Sequence, residues 1–268
     1  MVVGYLLTTT FALFALSLAA DRWPLAAQGP ILPALIQAAI GIAVFGGLTW
    51  LVGRRALHLS AAELGWAPVR EGLVGFGKGL ALAAVIGALA LALGWPLASR
   101  WQLDGGSVGA YLARIPILAL VLLPAAFFEE LAFRGALFAG LAKGLGRFGA
   151  LGVSSILFAL VHAANPSVTP LALANIALAG VFLGLTFLAR GGLWTATGAH
   201  LGWNLMLAAL AAPVSGLPFD VPWIDFIPGQ PAWVTGGGFG PEGGLLASIA
   251  LVVGAVWVTR WRDFKGAS

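Results

Sequence analysis

Two adjacent carboxylates, Glu129 and Glu130, stand in the apolar run LLPAAFFEELAFRGALFAGL, with Arg134 close behind them. An ionisable group at bilayer depth costs roughly 2.5–3.5 kcal/mol or more, so it usually faces a partner or a water-filled cavity. More polar groups fall in later apolar runs: His162 follows Phe158 by four residues, Asn175 stands alone, and Asn204 follows His200 by four. Glu130 and Arg134, at i and i+4, share one helix face and can pair. Glu129 points about 100° away and has no local cation. A carboxylate, two imidazoles and a carboxamide can form a hydrolytic site. Glu129 could take a proton from water as general base while a histidine orients that water. The second histidine and Asn204 could donate hydrogen bonds to the oxyanion that forms. Alternatively, Glu129, His162 and His200 could bind zinc and lower the pKa of its water, with Asn204 outside the ligand set. Spacing alone does not choose between them.

The elements that must position these groups are membrane helices. Of the 268 residues, 60% are hydrophobic and 9% charged, against about 25% charged in a soluble domain. Apolar runs near the roughly 20 residues that span a bilayer recur at Val2–Ala20, Ile31–Val52, Leu73–Ser99, Ile115–Leu141, Gly149–His162, Pro170–Leu188, Leu193–Ala212 and Leu245–Trp261. The expectation is an all-α, polytopic membrane protein of about eight transmembrane helices with a catalytic cavity inside the bundle. It forms a single membrane domain over residues 1–268, with the motif-bearing core at about 115–212. Cysteine is absent, which excludes disulfides, thiolate metal sites and a cysteine nucleophile.

Charge placement sets the topology. With a cytoplasmic N-terminus, Arg54, Arg55, Arg70, Lys78, Lys143, Arg147, Arg190, Arg260, Arg262 and Lys265 fall on the cytoplasmic side, and Arg22, Arg100 and Arg114 on the other. Ten against three, with Arg134 intramembrane, obeys the positive-inside rule, so both termini are expected in the cytoplasm. The basic residues form no long tract with interleaved aromatics, so no nucleic-acid partner is expected. LSLAA before Asp21 resembles a signal-peptidase site, but Met1–Thr10 has no basic residue, and the segment is expected to remain as a helix. The Pro-, Gly- and Trp-rich stretch Pro213–Gly244 reads as a plain connector on the outer surface, with Trp223 and Trp233 at the interface.

Glu129-Glu130-x-x-x-Arg134, Phe158-x-x-x-His162 and His200-x-x-x-Asn204 resemble, in order and helix placement, the three signature motifs of the CPBP family. These are the CAAX-processing and bacteriocin-processing intramembrane proteases, also called Abi or type II CAAX endopeptidases. Leu64-Gly65-Trp66 and Gly192-Leu193-Trp194 are similar to family members too. The resemblance implies an endopeptidase in the cell membrane, with membrane lipid and a protein or peptide substrate as partners. It implies Glu129 as the base activating water, His162 as its partner, and His200 with Asn204 as the oxyanion hole. Glu130 and Arg134 would orient the first carboxylate. Members are commonly labelled metalloproteases, yet a metal-independent glutamate mechanism also has precedent, so zinc and no metal both stay open.

Blander readings exist for single residues. A buried Glu130–Arg134 pair often just locks packing. An isolated Asn204 or Asn175 usually glues helices together, and Gly180-x-x-x-Gly184 is a small-residue packing face. Three polar clusters in one chain with few others weigh against chance. HExxH is missing, paired intramembrane aspartates are missing, and Ser154-Ser155 shares a helix with His162, so other intramembrane protease classes do not fit. A proton-coupled transporter would show an inverted repeat, and none is evident. The alternative is a non-catalytic membrane scaffold or a bacteriocin-immunity-type binding protein.

Overall fold

A computed structural model describes residues 31–94 and 100–261. The expected segment Val2–Ala20 and its signal-like end lie outside the described residues. In chain order the helices are α1 (Ile31–Leu48), continued by a π-helical stretch over Thr49–Ala56, α2 (Val69–Gly94), α3 (Val108–Arg134), α4 (Ala136–Val161), α5 (Pro170–Phe187), α6 (Leu193–Ala209), the single turn α7 (Ala232–Thr235) and α8 (Leu245–Thr259). Starts follow local sequence. The Ser107 hydroxyl caps α3 by accepting from Ala110 N at 3.1 Å, and Thr169 caps α5 in the same way, with Pro170 at the first helical position.

The helical expectation holds. By length and hydropathy, four stretches among the described residues can cross a membrane: Ile31–Ala56, Val69–Ala92, Val108–Val161 and Pro170–Phe187. Helices α6 and α8 have 17 and 15 residues, short of the roughly 20 that span a bilayer. Helix α6 packs against α2, α3 and α5, so protein covers much of it.

The boundary expected after Leu141 moves to Gly135. Its backbone leaves helical geometry (ψ −126°), and a Cβ there would lie 2.5 Å from the Leu131 carbonyl oxygen and 2.7 Å from Thr49 Oγ1. Only glycine fits that break, which turns the chain from α3 into α4. Helix α4 is itself kinked at Gly146 (φ 70°, ψ 172°). The chain also departs from all-α: β1 (Arg100–Leu103) pairs antiparallel with β2 (Ile224–Ile227), Arg100 opposite Ile227 and Leu103 opposite Ile224. Four-residue strands more than a hundred residues apart are too short to announce themselves by alternation.

The tightest seam joins α2 to α6. A Cβ on Gly198 would sit 2.1 Å from the Phe76 carbonyl oxygen, one on Gly202 2.3 Å from that of Leu80, and one on Gly79 2.2 Å from that of Thr195. Glycines let two backbones touch, as in small-residue membrane seams. Gly180 and Gly184 do the same between α5 and α4, against Ser155 and Leu151. Gly198→Ala gains about 1 kcal/mol of helix propensity, but overpacking costs about 1–3 kcal/mol. Because the blocking atom is backbone, the cost should win, and the thermal midpoint of the purified protein in detergent should fall.

Among the described residues, the same packing brings expected cytoplasmic cations to one end. Lys143 Nζ donates to the Leu57 carbonyl at 3.0 Å, Leu193 N donates to Gly65 O at 2.9 Å, and Arg190 pairs with Glu71 at 2.7 Å. Arg114 sits elsewhere, donating from Nε to the Asp220 carbonyl at 3.2 Å.

Candidate active site

The C-terminal end of α3 carries Glu129, Glu130 and Arg134 into the bundle. Glu130 and Arg134 are fully buried and pair at 3.1 Å. The guanidinium also donates to the Gly180 carbonyl at 3.0 Å and lies 4.8 Å from the centre of the Phe158 ring. Its neighbour on the helix turns elsewhere. Glu129 keeps 24% of its side chain exposed, the most accessible of the cluster, and its Oε2 lies 3.8 Å from His200 Nε2 and 4.0 Å from His162 Nε2. That oxygen is buried and accepts no hydrogen bond.

Both imidazoles are anchored from behind. His162 ends α4, where helix carbonyls lose their intrahelical donors, and its Nδ1–H donates to the Phe158 carbonyl at 2.7 Å. His200 Nδ1–H donates to Glu130 Oε1 at 2.8 Å. Each ring thus turns Nε2 toward Glu129. Phe158 stands between them, its ring 4.7 Å from His162 and 6.0 Å from His200. Glu129, His162 and His200, which arise on three helices, are brought together.

Glu130 Oε1 accepts from His200 as well as from Arg134, so one carboxylate ties the arginine to a histidine from another helix. Asn204 lies one turn beyond His200 on α6, half-buried, and its side chain makes no hydrogen bond to any described residue. A zinc ion would need all its ligands within about 2.0–2.3 Å. The anchored Nδ1 atoms suit metal ligation, but no three His, Asp or Glu groups among the described residues cluster closely enough to hold a metal. The donor types fit zinc and the spacing does not, so no step below runs through a metal.

The two Gly-Trp stretches meet beside α3. Gly65 and Gly192 adopt positive φ (80° and 58°), and a Cβ on Gly192 would lie 2.3 Å from Gly65 O. That contact draws Trp66 and Trp194 to 5.9 Å between ring centres, and Trp194 stacks on Phe127 at 5.3 Å.

Residues 111–206 match the family model of Rce1-like type II CAAX prenyl endopeptidases. The matched stretch contains all three motifs yet covers less than half of the 268-residue chain. No curated protein and no solved structure matches. The Rce1-like likeness is to a peptidase family, and the apolar helices that carry it make this a membrane protein.

Glu242 lies beyond the Rce1-like stretch, and sequence reading passed over it. The expected plain connector instead folds inward over Gly237–Gly243 as two 3-10 turns and buries this carboxylate. Trp203 Nε1, from the turn of α6 between His200 and Asn204, donates to Glu242 Oε1 at 3.0 Å. The Ser215 backbone N–H and hydroxyl donate to Oε2. The Ser215 carbonyl accepts from Asn165 Nδ2 at 2.8 Å, and Asn165 N donates to His162 O at 3.0 Å. A hydrogen-bonded chain therefore runs from α6 to the end of α4. Asn175 does glue elements together, donating to Glu242 O at 2.7 Å and Gly244 O at 2.8 Å and accepting from Ser248. The available signal was a lone Glu in a glycine-rich stretch, which looks like surface.

Burial raises the Glu242 pKa, while the Ser215 and Trp203 donors pull it down less strongly. Folded Glu242 therefore holds a proton that the unfolded chain has lost just above the ordinary carboxylate range. This group's contribution to stability should be fully present below that range and fall as pH rises through its raised value. Glu242→Gln, which cannot ionise, should flatten that part of a stability–pH curve. Glu242→Ala should cost on the order of 3 kcal/mol, because the Trp203 and Ser215 donors lose their acceptor. Thermal melts across pH check both.

Proposed function

We propose that this chain is an intramembrane endopeptidase in which Glu129 activates water for attack on a peptide carbonyl. The observation that carries the reading is the orphaned Oε2 of the partly accessible Glu129 side chain, faced by two imidazole nitrogens at 3.8 and 4.0 Å. Polar groups at such separations are commonly bridged by a water.

His162, its Nδ1–H committed to Phe158, offers the Nε2 lone pair to one hydrogen of that water. Glu129 takes the other as the water oxygen bonds to the carbonyl carbon. His200 acts as imidazolium: Glu130 holds Nδ1–H and balances its charge, leaving Nε2–H to donate to the oxyanion. Asn204 supplies the second donor from the next turn. As the tetrahedral carbon collapses, the C–N bond breaks and the proton on Glu129 passes to the leaving amine. The products are an amine and a carboxylic acid, which gives its remaining proton to solvent to become a carboxylate, and Glu129 is again ionised.

The finer topology, with about eight spans, a plasma-membrane location and both termini cytoplasmic, belongs to this reading; the cationic end of the bundle supports its orientation. A prenylated peptide ending in a CAAX sequence is the probe the family likeness recommends. Full-length protein in vesicles should release its C-terminal tripeptide, and loss of that release on changing Glu129 is the test. Exhaustive chelation followed by metal analysis should leave turnover unchanged; loss on chelation with recovery on zinc addition would sink the water–glutamate mechanism.

A further inference from the structure

A second polar site lies at the cationic end of the bundle, away from the carboxylate cluster. It is a cavity of about 160 Å³ where the start of α2, the α5–α6 turn and the end of α8 meet. Three cations line it, Arg70, Lys78 and Arg190, against one carboxylate, Glu71, which pairs with Arg190. Lys78 Nζ lies 5.9 Å from the centre of the Trp261 ring, which closes one side.

The floor is built differently from a solvated surface. Thr195 is fully buried on the first turn of α6, and its Oγ1 has no hydrogen-bond partner. A Cβ on Gly75 or Gly191 would come within 2.3 or 2.2 Å of that oxygen, so both glycines keep the backbone bare around it. A buried hydroxyl without a partner costs about 1–3 kcal/mol. A ligand with an acceptor oxygen would remove that cost. The mouth opens on apolar surface: Leu73 and Val74 on α2 and Trp257 on α8, one turn before Trp261, are all exposed. Cations around a phosphate-sized space, beside a face that suits acyl chains, match an anionic phospholipid better than a free ion.

We propose that this cavity binds the phosphodiester headgroup of an anionic phospholipid, with Arg70 and Lys78 on the phosphate oxygens, the Thr195 hydroxyl donating to one of them, and the acyl chains along Leu73, Val74 and Trp257. The site is independent of the peptidase reading, since it shares no residue with the Glu129 cluster.

Native mass spectrometry and thermal melts of the full-length protein test it, using phosphatidylglycerol, phosphatidylcholine and inorganic phosphate as separate probes. Phosphatidylglycerol should be retained and should raise the melting midpoint above that in phosphatidylcholine, less so at high salt. Arg70→Gln with Lys78→Gln should weaken phosphatidylglycerol binding roughly tenfold or more, and Thr195→Val severalfold. In phosphatidylcholine alone the double variant should melt like the wild type, and Thr195→Val should melt no lower, since it removes the unpartnered hydroxyl. Equal retention of the two lipids, or undiminished phosphatidylglycerol binding in either variant, would overturn the site. A midpoint rise with inorganic phosphate as large as that with phosphatidylglycerol would overturn the lipid as occupant.

Discussion

Glu129→Ala should reduce turnover of the CAAX probe by about 10²–10⁴-fold, the usual contribution of a positioned general base, without loosening the fold. The second half of the expectation is what makes the first informative. Glu129 Oε2 accepts no hydrogen bond, and its carboxylate faces two imidazoles at 3.8 and 4.0 Å rather than a packed partner. Removing it leaves no donor stranded, so the melting midpoint should match the wild type. Glu129→Gln should be as inactive, because an amide keeps the shape and cannot take the water's proton. A non-catalytic scaffold makes the opposite forecast: both variants would behave as wild type in every assay. Turnover that survives Glu129→Gln would place the base elsewhere.

How far the sequence carried depends on the range of the interactions involved. Glu130 with Arg134, Phe158 with His162, and His200 with Asn204 are all i, i+4 pairs, and helical periodicity makes such neighbours readable from a string. The direction of Glu129, a hundred degrees from Glu130, follows from the same geometry. What joins the helices was not readable. That Glu130 reaches 2.8 Å from His200, seventy residues on, depends on how closely α3 and α6 approach. That approach depends in turn on α6 lying against the glycines of α2. Gly198 and Gly202 have the same four-residue spacing as Gly180 and Gly184, but a glycine's meaning depends on what stands opposite. Glu242 was hidden for a related reason: its partners Trp203 and Ser215 are far in sequence, and local composition suggested an exposed loop. The break at Gly135 escaped because the apolar run continues through it, and hydropathy does not see backbone angles.

The largest effect on stability should come from the pair behind the site. Glu130→Ala leaves the Arg134 guanidinium fully buried, with the Gly180 carbonyl as its remaining acceptor and Nε already without one. Breaking a buried pair from one side costs about 3–5 kcal/mol, because the surviving charge stays in a low-dielectric interior. Here the loss spreads further, since Glu130 also holds His200 Nδ1. Arg134→Met should cost less. Glu130 keeps its His200 bond, and methionine refills the space beside Phe158. Removing both, as Glu130→Ala with Arg134→Met, should cost clearly less than the two single changes added together, because no stranded charge remains. The double variant should nevertheless stay poorly active, since His200 would lack the carboxylate that supports its imidazolium. A double-mutant cycle of unfolding in detergent, run beside turnover, separates the two roles. Additive costs would mean that the pair is not energetically coupled. Full activity in the double variant would mean that Glu130 only packs and does not orient His200.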